Sequence, residues 1–92
     1  MPIRYTEHAI FRMKVRHVTK RMVAATLRSP ESRYLDVEFG TTVAVRRFAR
    51  RYLVVFFSTR AADDWVVTVY HASDVSSLIS GKLRRGAWVE RK

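Results

Sequence analysis

The sequence predicts an α+β domain: two N-terminal helices packed on one face of a twisted, mainly antiparallel four-stranded sheet, with a short C-terminal helix or tail. Apolar residues recur at helical spacing in the first third of the chain, while the middle is filled by β-branched and aromatic runs. The connectors between those runs are short, which favours a meander over crossovers. At 92 residues the chain suits a single domain spanning 1–92. About 60–65% of the unfolded surface is buried at this size, enough for one core.

Thr6 is placed to cap a first helix running from Glu7 toward Arg16, with Glu7 favourable in the first turn. Ala9, Ile10, Met13 and His17 share its expected core face. Thr19 caps a second helix, in which Met22, Val23, Thr26 and Leu27 repeat at the same period. Ser29-Pro30 ends it, because a residue before proline is pushed out of the helical region.

Tyr34–Phe39, closed by Gly40, reads as a first strand, and Val43, Val45 and Phe48 mark a second. Tyr52–Phe57 is apolar on both parities and is expected at the sheet centre, covered on both sides. Ala61-Ala62-Asp63-Asp64 reads as the turn before a strand over Trp65–Tyr70. Ser73 caps a helix that Gly81 is expected to stop, and Lys82–Lys92 is either a docked strand or a mobile basic tail. Helices on one face leave the other partly open, and a ligand is expected there.

Charge is the strongest functional signal. Eighteen Lys and Arg against eight Asp and Glu give a net charge of +10, and the pI is near 11.1. Such a field attracts phosphate backbones and makes binding salt-dependent. There is no cysteine, which fits a reducing cytosol. No secretory leader is visible, and the longest apolar run, Tyr52–Phe57, is too short to span a bilayer. A soluble cytoplasmic protein with no membrane partner is expected.

His8, Arg12 and Arg16 lie at i, i+4 and i+8, forming one ridge beside the apolar face. An imidazole with two guanidiniums suits proton transfer and phosphate binding, or else forms a solvated basic face. On the last strand, Thr68 and Tyr70 point away from Trp65, Val67 and Val69, which form the expected core side. His71 sits at the strand end and its orientation is open. Arg46, Arg47, Arg50 and Arg51 crowd around Phe48, with Arg60 at the far end of the central strand. Basic and aromatic side chains together suit single-stranded nucleic acid, or else form a charged turn that guards a sheet edge. The histidines are too scattered for a zinc motif, and there is no Gly-rich phosphate loop, no G-x-S-x-G and no cysteine nucleophile. No metal or other cofactor is implied.

The order His8-Ala9, Arg12-Met13, Arg16, Val18-Thr19, Ser29-Pro30 and then Val66-Val67-Thr68-Val69-Tyr70 resembles small prokaryotic domains allied to the BrnT and RelE toxins. That superfamily is related in fold to barnase-like and EndoU-like ribonucleases. The resemblance covers roughly residues 5–71. It implies a RelE-like domain, metal-independent cleavage of RNA (free or as ribosome-bound mRNA), and an acidic antitoxin protein blocking the cleft. The implied catalytic residues are His8, Arg12 and Tyr70, and Arg16 and Thr68 also match the motifs. His71, as a catalytic base or acid beside or in place of His8, and Arg46, Arg47, Phe48 and Arg60, as nucleic-acid-binding residues, come from charge and chemistry alone. Beside the ribonuclease stand two alternatives: a non-catalytic RNA- or DNA-binding module, and a basic protein-interaction domain.

Overall fold

The computed structural model describes residues 2–91, so Lys92 at the end of the basic tail lies outside the described residues. The elements run β1 (Ile3–Tyr5), α1 (Glu7–Val15), α2 (Lys20–Arg28), β2 (Ser32–Asp36), β3 (Thr41–Phe48), β4 (Arg51–Arg60), β5 (Asp63–Ala72), α3 (Val75–Arg84) and β6 (Trp88–Arg91). The strands form one six-stranded sheet in the order β1-β5-β4-β3-β2-β6. β1 is parallel to β5; every other neighbouring pair is antiparallel. Among the described residues, no helix is long and apolar enough to cross a membrane.

This corrects the expected four-stranded sheet with helices on one face. The meander β2–β5 is present, but a strand is added at each edge. β1 is three residues long and leads directly into a helix, too short for an alternation signal. β6 is the docked alternative for the tail: Trp88 opposes Asp36 in the ladder and is 1% exposed. α3 covers part of the second face.

Local chemistry explains the elements. Thr6 accepts from the Ala9 amide at 3.0 Å and Thr19 from the Met22 amide at 3.1 Å, capping both N-terminal helices. Ala9 and Met13 are buried as expected. Ile10, however, is half exposed, and His17 lies beyond the helix with φ 55. The cap of α3 is Asp74, which accepts from the Ser77 amide at 3.2 Å, rather than Ser73. The helix runs through Gly81 and closes at Gly86, whose φ is 73. The β4–β5 turn is only Ala61-Ala62, because Asp63 already pairs with Arg60.

Two cores flank the sheet. On one face, α1 and α2 bury Ala9, Met13, Val18 and Val23 against Ala44, Leu53, Val55, Phe57, Val66 and Val69. On the other, Val43, Val45 and Val54 pack with Tyr34, Trp88, Val75 and Ala87. The alternation in β4 holds: odd residues from Leu53 to Phe57 face the helix pair and even ones face α3. β5 departs from alternation. Phe56 pairs with Thr68 while Phe57 pairs with Val66, leaving Val67 as a bulge. The buried core residues of β5 are therefore Val66 and Val69, not the expected Trp65, Val67 and Val69.

Candidate nucleic-acid interface

α3 leaves β5 at the Ala72 end and crosses the sheet to deliver β6 beside β2. The other end of this face stays open as a cleft of about 560 Å³. Phe56 and Tyr70, with rings 5.7 Å apart, belong to its lining. Ser58, Arg60, Val67 and Thr68 extend that wall, Asp36, Phe39 and Thr41 come from the β2–β3 side, and Lys82 comes from α3. His8, at the start of α1, closes the remaining side. The bulge allows Val67 and Thr68, adjacent in sequence, to face one cleft.

Of the residues predicted from sequence, His8, Arg60, Thr68 and Tyr70 meet here. Arg12 stays exposed on α1, and its Nε donates to Nε2 of His8 at 3.4 Å. That contact is long for a hydrogen bond and easily exchanged for another partner. Tyr70 titrates above its usual range, first because it is buried, then because the Asp36 carboxylate opposes a phenolate; Arg16 pulls the other way. The phenol therefore keeps its proton at neutral pH and is available as a donor.

Asp36 is buried but occupied. Oδ1 accepts from the Glu38 and Phe39 amides at 3.0 and 3.2 Å, and Oδ2 accepts from the Trp88 indole at 3.3 Å. It holds the turn that presents Phe39, which is 77% exposed at the rim. The Thr41 hydroxyl is buried without a hydrogen-bond partner.

The remaining predicted residues are elsewhere. Arg46 lies on the helix-pair face, donating to the Ala25 carbonyl at 3.1 Å with its guanidinium 5.5 Å from the Phe48 ring. Both are structural: the arginine serves the C-terminal end of α2, and Phe48 packs on the core there. Arg47 braces the β3–β4 hairpin, its Nε donating to the Ala49 carbonyl at 2.9 Å. Arg16 donates to the Val69 carbonyl at 2.6 Å, and Thr6 donates to the Val67 carbonyl at 3.2 Å. Together they satisfy the edge of β5 that β1 does not reach.

His71 pairs with Leu53 in the ladder and so faces the helix-pair side, away from the cleft. With Val15, Arg16, His17, Arg51 and Tyr70 it lines a second depression of about 510 Å³. Its Nδ1 is buried without a hydrogen-bond partner. Burial first, then the Arg51 guanidinium, lowers its pKa, while the Arg16 main chain opposes that shift.

Asp36, Phe39, Thr41, Phe56, Ser58 and Lys82 were not anticipated. Ser58 had a usable signal, since it shares strand parity with Phe56 and Arg60. Lys82 falls in the segment that reads as a docked strand or tail, and neither Asp36, at the end of β2, nor Thr41, at the start of β3, carries a local signal for a cleft. No family model, curated protein or solved structure matches the chain.

Proposed function

We propose that the cleft binds RNA and cleaves it by attack of a ribose 2′-hydroxyl on the adjacent phosphorus. The observation that carries this reading is the meeting of His8, Tyr70, Arg60 and Lys82 on the part of the sheet that α3 leaves open. It agrees with the ribonuclease class that the first-helix and last-strand motifs suggest, and with the charge of +10.

In this scheme His8 accepts the 2′-hydroxyl proton as the new P–O bond forms. Arg60 and Lys82 offset the charge that develops on the phosphoryl oxygens. The bond to the 5′-oxygen then breaks, giving a 2′,3′-cyclic phosphate, and Tyr70 donates the proton that makes the leaving group a 5′-hydroxyl. Phe39 and Phe56 offer faces for base stacking. An acidic protein partner would compete for the same cations.

The test is incubation of RNA with the purified protein in EDTA, beside His8→Ala. Cyclic-phosphate ends, with a loss of about 10²–10⁴-fold in a folded His8→Ala protein, are expected. Equal cleavage by the two proteins removes His8 from the scheme. One observation favours the second reading, a binding module without cleavage: His71 lies outside the cleft, so the cleft holds a single imidazole. Salt-sensitive binding without products, on free RNA and on translating ribosomes, would establish it.

A further inference from the structure

The C-terminal end of α1 is built at odds with its own backbone. His17 donates its amide to the Lys14 carbonyl at 3.4 Å and Val18 donates to the Met13 carbonyl at 2.8 Å. That is the pattern in which one residue must adopt a left-handed conformation. α3 ends the same way, with Gly86 donating to Leu83 at 3.1 Å and Ala87 to Lys82 at 2.9 Å, and there the left-handed residue is a glycine at φ 73. At α1 it is a histidine at φ 55. A non-glycine residue in this region is disfavoured, and of the four that adopt it among the described residues, His17, Ala49, Ala61 and Ala62, His17 alone has a side chain with polar chemistry.

The His17 side chain lines two adjoining depressions. One is shared with Arg16, Arg51, Tyr70 and His71; the other, of about 640 Å³, is shared with Phe48, Arg50, Arg51 and His71. No carboxylate lines either, and among the described residues the sole ion pair is Arg4–Asp63. This is cationic surface without an internal counter-charge. Tyr70 joins it to the cleft, lining both. The ridge of α1 runs between the same endpoints, from His8 in the cleft to Arg16 in the depression, roughly 12 Å at helical rise. Arg12 lies midway, next to Phe11, which is 59% exposed.

We propose that the depression around His17 and Arg51 is a second anion-binding site for the same RNA, holding a backbone phosphate beyond the scissile one. The strand leaves the cleft past Tyr70, follows the ridge of α1 around the edge of β5, and ends against Arg51. The substrate is then a single strand several nucleotides long, since one nucleotide cannot reach both sites. This rests on the RNA reading of the cleft.

The test uses 2′-O-methyl oligoribonucleotides, which bind but cannot react, and compares a dinucleotide with a decamer by fluorescence anisotropy. Arg51→Gln is expected to shrink the decamer's advantage over the dinucleotide and to reduce its slope of log affinity against log salt by about one. His17→Gly is expected to raise the thermal midpoint while weakening decamer binding, a combination that a merely structural histidine would not give. Decamer binding that both variants leave untouched, while Arg60→Gln weakens both ligands, would overturn the second site and leave the cleft standing. Failure of the wild-type protein to bind either RNA would overturn both.

Discussion

The two faces of the sheet use the same residue types in opposite ways. On the helix-pair face, Arg46 is drawn into the fold by the Ala25 carbonyl and the Phe48 ring, and the apolar layer beneath α1 and α2 is continuous. On the α3 face, Arg60 stacks at 5.9 Å on Trp65, has no acidic partner among the described residues, and lines a cleft. The difference follows from coverage. Two helices close one face, whereas a single crossing helix closes only the part of the other it passes over. Arg46, at the covered face, serves a backbone carbonyl, and Arg60, at the uncovered end, stays free for a ligand.

The largest effect expected in this comparison is on the α3 face. Trp88→Ala removes the buried indole that joins β6 to Asp36 and stacks at 5.3 Å on Tyr34. A loss of about 3–5 kcal/mol in urea unfolding is expected. A loss under 1 kcal/mol would mean that β6 is not part of the α3-side core.

The two arginines give the sharpest contrast. Arg46→Gln should lower stability by about 1–2 kcal/mol, since it removes a charge-assisted bond to a carbonyl, and leave RNA affinity near wild type. Arg60→Gln should leave the urea midpoint nearly unchanged but weaken RNA binding and flatten its salt dependence. Reversal of the two phenotypes would break the distinction between the faces.

Asp36→Asn should move the Tyr70 phenol back toward its usual range without reaching it, because burial is the larger cause of the shift. Phenolate absorbance during alkaline titration reads this directly. His71 supplies a pH effect on the helix-pair side. Its folded pKa lies below the usual 6.5, so between the two values the unfolded chain binds more protons than the folded one. The stability linked to neutral His71 is therefore complete above about 6.5 and falls as the solution is acidified through that value. In His71→Gln this part of the urea-midpoint profile should flatten.

The smallest effect expected is a gain. Ala61 and Ala62 form a two-residue hairpin turn with φ of 50 and 71, where Asn-Gly is unstrained. Ala62→Gly should stabilise by about 0.5–1 kcal/mol. No gain would mean that the added freedom of the unfolded chain offsets the relief.

Much of this arrangement was legible in the sequence, and the gaps have physical causes. The caps Thr6 and Thr19 and the apolar run Tyr52–Phe57 carry local signals, and they fold as read. Thr68 and Tyr70 were placed on the correct face, although the bulge at Val67 moved Trp65 and Val66 off the face alternation predicts. A bulge is set by pairing across strands, and no local pattern encodes it. β1 and β6 are edge strands of three and four residues, defined by their partners rather than by their own periodicity. Arg46 and Arg47 fell outside the cleft for a related reason: charge density along a chain does not say which guanidiniums the fold turns toward its own carbonyls.

The most direct measurement is a titration of the isotopically labelled protein with a 2′-O-methyl oligoribonucleotide, followed residue by residue through amide shifts in NMR spectra. The largest changes should fall on the amides of Ser58, Arg60, Thr68, Tyr70 and Lys82, with Val23, Thr26 and Ala44 still. Changes concentrated on α2 and the helix-pair face, with the cleft silent, would contradict it.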